Sequence, residues 1–191
     1  LNIEVGIRKT QGDLTTALNL YQNQISDFIY AHNTGAEVDG FGQYQFVQQN
    51  AKFVGGEFNL AYQVLAGMTL TAMADRVRAD DLPRIPADRF GLGFELSTLA
   101  LFSMQTDLLL FGQWQQVQKQ DQLAENEEQS IGYDLLNLGI SYQHVLAKSE
   151  YRIDFKANNL LDEEVRQHTS FVKEQAPQPG RNISLGLAVT F

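Results

Sequence analysis

Strict alternation of apolar and polar residues is the feature that most constrains this chain, and it is cleanest over the last ten residues. Ile183, Leu185, Leu187, Val189 and Phe191 alternate there with Asn182, Ser184, Gly186, Ala188 and Thr190. A period of two places five apolar side chains on one face of an extended strand and small or polar ones on the other. The same rhythm runs at the other end, where Leu1, Ile3, Val5 and Ile7 alternate with Asn2, Glu4, Gly6 and Arg8.

Between these ends the pattern recurs with little interruption. After the turn Thr10-Gln11-Gly12-Asp13, a strand runs through Leu18 and Leu20 to Ile29, followed by a polar loop from Ala31 to Gln43. A long strand from Tyr44 to Val64 and the tight turn Ala66-Gly67 lead to Met68, Leu70, Ala72 and Ala74. The prolines within Asp80 to Ala87 mark a loop, because each removes a ladder donor. Phe90, Leu92, Phe94 and Leu96 form the next face, and the pattern then blurs between Met104 and Gln120 around Leu108 to Phe111. An acidic loop, Asp121 to Ser130, precedes Leu136, Leu138, Ile140 and Tyr142. A short turn at Leu146 to Glu150, a strand through Tyr151, Ile153, Phe155 and Ala157, and a long loop from Asn159 to Arg181 complete the chain. The expectation is an all-β antiparallel chain of nine strands. No window carries the i, i+3, i+4, i+7 spacing of an amphipathic helix as consistently.

Composition narrows the function. A net charge of −9 and a pI near 4.7 argue against nucleic acid, which requires clustered Lys and Arg. With no cysteine, disulfide frameworks and thiolate metal sites are excluded. No run of 18 apolar residues encodes a membrane helix, but membrane barrels cross with alternating strands whose hydropathy averages out. The opening LNIEVGIRKT is neither a signal nor a transit peptide and starts in mid-strand, so the chain is expected to be a piece of something longer.

Short turns alternating with longer loops, and a final strand ending on an aromatic, fit an outer-membrane β-barrel. The apolar faces carry no charge at strand centres, where Lys or Arg at the bilayer midplane would cost roughly 2–4 kcal/mol. The opposite faces are rich in Gln, Asn and Thr, suited to a wet or plugged lumen. A soluble β-sandwich or lipocalin-like binding module shares the alternation, and a small autonomous porin-like barrel shares the membrane features. Single-chain bacterial barrels use even strand numbers, so nine strands suggest a segment of a larger barrel.

Asn158 to Glu163 (NNLLDE), His168-Thr169-Ser170-Phe171, Pro177 to Asn182 (PQPGRN) and the closing strand resemble the C-terminus of TonB-dependent outer-membrane receptors. Gly55-Gly56-Glu57-Phe58 and Ile25 to Tyr30 (ISDFIY) resemble further elements of that family, and the His-Thr-Ser-Phe and Pro-Gly-Arg elements look most like its zinc-uptake subgroup. The resemblance implies residues 1–191 as the C-terminal portion of a 22-stranded barrel, with the plug domain and earlier strands outside the chain. It also implies outer-membrane lipid, the barrel assembly machinery, TonB (through the plug) and a small ligand, a metal or metal chelate, as partners.

Phe191 with its carboxylate is then expected to be the outer-membrane assembly signal, beside its simpler role as an interfacial aromatic. His32 and His168 lie in expected loops, the latter near Asp162, Glu163 and Glu164, and two such histidines among acids are able to contribute metal ligands. The simpler reading makes them solvated loop residues. His144, near a short turn, reads as structural, and Asp121 to Glu128 as a solvated acidic face. Arg181 is expected to anchor the last loop by pairing with a carboxylate such as Asp154. Nothing suggests a resident cofactor, and no nucleophile–base arrangement or phosphate-cradling loop suggests an enzyme.

Overall fold

The computed structural model describes residues 1–98, 106–146 and 148–191. Among them nine strands follow one another: β1 (Asn2–Gln11), β2 (Leu14–Val38), β3 (Phe41–Leu65), β4 (Met68–Ala79), β5 (Arg89–Ser97), β6 (Thr106–Val117), β7 (Tyr133–Leu146), β8 (Ser149–Asn158) and β9 (Asn182–Thr190). They form a single antiparallel sheet in sequence order, with β1 and β9 as its edges.

The register carries the alternation across the sheet. Tyr62, Leu70, Phe94, Gly112, Leu138, Ala157 and Ile183 lie side by side in one row from β3 to β9. The neighbouring row, Gln63, Thr69, Glu95, Phe111, Gly139, Lys156 and Ser184, faces the other way. Among the described residues no large side chain is fully buried, and Leu92, Ile140, Ile153 and Leu187 all stand exposed on the apolar face. None of the described residues forms a protein layer over that face, so it is matched to hydrocarbon rather than to a core.

The blurred stretch of the sequence has a packing cause. On β6, Leu108 and Leu110 take the apolar face, while Leu109 and Phe111 point the opposite way between Ser97, Ser141 and Gly139. A Cβ on Gly139 would meet the Phe111 ring at 2.2 Å, so the ring occupies the space that glycine leaves. Met104, where the blur was expected to begin, lies outside the described residues, as does Ala147 of the expected turn.

The polar segment Ala31 to Gln43 is not a loop. β2 and β3 continue through it, pairing His32 with Gln45 and closing at Val38 and Phe41 on the turn Asp39-Gly40. Both turn residues have positive φ (53° and 81°), the conformation of a type I′ hairpin. The extension lies beyond the end of β4, where Phe53 pairs with Ala79, and stands as a two-stranded ribbon. Backbone hydrogen bonds carry the ribbon on through residues that are mostly polar, which is why alternation failed to reveal it. A bulge at Ser26-Asp27, with Asp27 at φ 55°, separates the ribbon from the sheet below.

Connections β1–β2, β3–β4 and β7–β8 are tight and lie at one end of the sheet. The ribbon and the loops 80–88, 118–132 and 159–181 lie at the other. An apolar cluster sits beneath this loop end: Ala51, Leu82 and Ile85, packed against Phe28, Tyr30, Phe53, Val77 and Ala79. It pins loop 80–88 to the polar side of the sheet.

Candidate functional site

The three long loops and the ribbon converge on a few polar residues. Gln120, with 3% of its surface exposed, donates from Nε2 to the carbonyls of Ile85 (3.0 Å) and Pro86 (3.1 Å), joining loop 118–132 to loop 80–88. Its own backbone forms a bridge with Ser130. A buried amide that finds partners on two loops holds both, because leaving them unmade would strand polar groups away from water.

Arg84 is the second tie. Its Nη2 donates to the Ala31 carbonyl of the ribbon at 2.8 Å, and its guanidinium lies 4.1 Å above the Phe171 ring and 5.7 Å from that of Tyr44. Tyr44 and Phe171 meet edge to face at 5.2 Å. One cation between two rings thus binds loop 80–88, the ribbon and the last loop. Asn33 and Asn126 add reciprocal side-chain-to-carbonyl bonds at 2.9 and 3.1 Å.

Glu127 and His168 form the third tie. Glu127 Oε1 accepts from the Arg84 backbone N–H at 2.6 Å, and Oε2 from that of Ala124 at 3.1 Å. His168 Nε2 lies 3.1 Å from Glu127 Oε1, off the line of a well-aligned hydrogen bond. On its other side Nδ1 meets Ser130 Oγ at 2.8 Å. Lys173 is 3.3 Å from the same hydroxyl and donates to the Glu128 carbonyl. Burial alone would raise the Glu127 carboxyl, but His168 and the Arg84 and Ala124 amides outweigh it and hold the group below its ordinary value.

These residues border a cavity of about 370 Å³ between the ribbon and the loops. Its walls include Phe41, Tyr44 and Phe171, the cations Arg84 and Lys173, and the carboxylates Glu37, Glu125, Glu128 and Glu174. Among the described residues no group of three or more His, Asp or Glu is arranged to hold a metal ion.

The expected site residues are dispersed. His168 is buried rather than solvated and is paired with Glu127 of the acidic loop, while Asp162, Glu163 and Glu164 have other partners. His32 is half-buried within the ribbon. Glu164 contacts Arg166, whose Nη1 also reaches the carbonyls of Lys173 and Glu174. Arg181 meets Asp162: its backbone N–H donates to Oδ1 at 2.8 Å and its Nη2 lies 3.7 Å from Oδ2. The suggested partner Asp154 pairs with Arg152 instead, since both lie on the same face of β8. His144, at the short-turn end, contacts Thr106 Oγ1 at 2.7 Å and stacks on Tyr142.

Arg84, Gln120, Ser130, Lys173 and Asn159 were not singled out in the sequence. Asn159 is 5% exposed, bonds the Glu163 carbonyl at 2.8 Å, accepts from the Glu163 N–H at 3.0 Å, and takes φ 49°. Its place in NNLLDE was a signal, as Asn tolerates that backbone conformation better than most residues. Glu127 sat unmarked within a run of acids.

Comparison with known proteins agrees with the architecture. Residues 1–160 match the family model described as TonB dependent receptor-like, beta-barrel. Among solved structures, the copper transporter OprC superposes with a TM-score of 0.77 at 18% identity, over 95% of this chain and 30% of that one. BauA, the ferric preacinetobactin receptor from Acinetobacter baumannii, gives 0.71 at 18% identity, over 98% of this chain and 28% of that one. OmpT of Vibrio cholerae gives 0.50 at 11% identity, over 98% of this chain and 55% of that one. The chain thus spans less than a third of the first two structures. The uncovered apolar face, the short and long ends and the family match lead to one conclusion: this chain belongs to the TonB-dependent receptor family, as part of the β-barrel in the Gram-negative outer membrane.

Proposed function

We propose that the chain forms the C-terminal barrel wall and part of the outer vestibule of a receptor that imports a scarce ligand with energy relayed by TonB. Strand counting supports this reading, since nine strands and their connections in 191 residues would scale to about 460 residues for 22 strands. The plug and the TonB contact then belong to other parts of the receptor. Phe191, whose side chain is exposed at the short-turn end, serves as the assembly signal.

The ligand is a metal ion or, favoured by the cavity, a metal chelate. A bare zinc ion asks for three or four converging His or carboxylate ligands, whereas a chelate is gripped by aromatic and charged walls. The single observation that carries this is the cavity with Tyr44, Phe171, Arg84 and Lys173 on its walls beside several carboxylates. Two structural neighbours bear names of that class, a copper transporter and a ferric chelate receptor. Of the ligand contacts expected in the loops, His168 borders this cavity, while His32, Asp162, Glu163 and Glu164 are not among the residues that line it.

The test is uptake of radiolabelled zinc, copper and ferric siderophores by cells with and without the intact receptor gene, each with and without TonB. Uptake of a chelate that requires both genes is the expected result. TonB-independent leakage of unrelated small solutes would sink the reading in favour of a porin-like pore.

A further inference from the structure

The charges around the cavity between the ribbon and the loops are not evenly used. Five carboxylates border it, those of Glu37, Glu125, Glu127, Glu128 and Glu174, against the two cations Arg84 and Lys173. Both cations are spent inside the protein. Arg84 donates to the Ala31 carbonyl at 2.8 Å and lies 4.1 Å above the Phe171 ring. Lys173 is 8% exposed, and its ammonium is held by the Glu128 carbonyl and, at 3.3 Å, by Ser130 Oγ.

The acids divide differently. Glu127 is committed to the Arg84 and Ala124 amides and to His168, and Glu174 lies 4.0 Å from the Lys173 ammonium. Glu37, Glu125 and Glu128 are exposed, and among the described residues their carboxylates meet no cation or hydrogen-bond donor. Glu37 comes from the ribbon and the other two from loop 118–132, on walls that the Asn33–Asn126 pair ties together.

Acidity alone makes only a solvated surface. Two further features give this one an occupant to meet. Phe41 and Phe171 stay 56% and 54% exposed on the same cavity, apolar area that a ligand would cover. His168, 5% exposed, also borders it, and its Nε2 lacks an aligned hydrogen bond despite Glu127 at 3.1 Å. A buried ring nitrogen left unmatched at a cavity wall is a group that an occupant completes.

Carboxylates left free on a concave surface concentrate cations and repel anions, and the faces of aromatic rings attract the same sign. We propose, on the reading of this cavity as the ligand site, that it selects chelates of net positive charge. The cationic group is drawn to Glu37, Glu125 and Glu128, while the body of the chelate rests on Phe41 and Phe171. A unit charge about 8 Å from a carboxylate across water gains roughly twofold in affinity, so three acids give about tenfold at low salt.

The test uses the intact receptor in detergent at low ionic strength and ferric trihydroxamates of one framework, carrying radiolabelled iron. They are ferrioxamine B, cationic through its pendant ammonium, its neutral N-acetyl derivative and its anionic N-succinyl derivative. Dissociation constants from equilibrium dialysis should rise about tenfold from cation to neutral chelate and about tenfold again to the anion. In E37Q/E125Q/E128Q the three should converge to within about twofold, and Phe171→Ala should weaken all three alike. Equal affinities in the unaltered receptor, or a preference that survives the triple variant, would overturn the charge selection. If Phe171→Ala still weakens binding in that case, the cavity remains the ligand site and only its charge rule falls. Binding unaffected by both variants, or no binding of any of the three, would overturn the cavity as the site and this inference with it. The altered acids have no partners to lose, and the resistance of each folded barrel to cold detergent confirms that native receptors are compared.

Discussion

Nε2 of His168 lies 3.1 Å from Oε1 of Glu127, joining the last long loop to the acidic loop across the mouth of the barrel. Glu127 also accepts from two backbone amides, one of them in a third loop. Glu127→Ala would strand those donors. Losing hydrogen bonds to a charged group of this kind costs about 2 kcal/mol. Trypsin cleavage at Arg166 or Lys173 of the intact receptor on cells should accelerate roughly thirty-fold, as local opening becomes easier. Unchanged cleavage would show that the loops are held elsewhere.

The same carboxyl sets an acid limit. Its folded value lies below the unfolded one of about 4.3. The stabilisation is therefore complete above that value and is lost as pH falls through the lower, folded value. Loop protection followed by hydrogen exchange should be level from pH 7 to about 5 and fall only below about 4. In E127Q this acid step should be absent. A loss of protection centred near pH 6 would point to a different group.

Phe111 occupies the space over Gly139 on the lumenal face, and Phe94 does the same over Gly112 on the lipid face. Gly139→Val would drive a branched side chain into a ring held within the sheet. Overpacking of this kind costs about 1–3 kcal/mol. The folded, heat-modifiable receptor should drop on cold detergent gels, and F111A in the same chain should restore it. Failure of that rescue would place the fault in the backbone.

The two faces differ in tolerance. Leu92→Arg, mid-row on the lipid side, carries the ~2–4 kcal/mol cost of a cation at the bilayer centre. Gln113→Arg, on the opposite face, carries none of it. Outer-membrane levels of the first variant should fall well below the second. Equal levels would argue that the apolar face is covered by protein.

Deleting Phe191 leaves every ladder bond of β9 in place, because the pairing ends at Thr190 with Glu150. If the residue is read by the assembly machinery, surface levels should fall by more than the modest effect of removing one exposed aromatic. Levels within twofold of the unaltered receptor would reduce Phe191 to an interfacial side chain.

Alternation determined that the chain is all-β and which residues share a strand face, because an extended strand repeats every second residue, while the single sheet in sequence order belongs to the structure. It could not reveal that the strands continue through Ala31 to Gln43, a polar stretch that backbone hydrogen bonds carry on as a ribbon. Only the tertiary structure brought His168 to Glu127 rather than to the nearby Asp162, Glu163 and Glu164, and Arg181 to Asp162 rather than Asp154. Loop partners are chosen by where strand ends come to lie, and chain proximity carries little of that information.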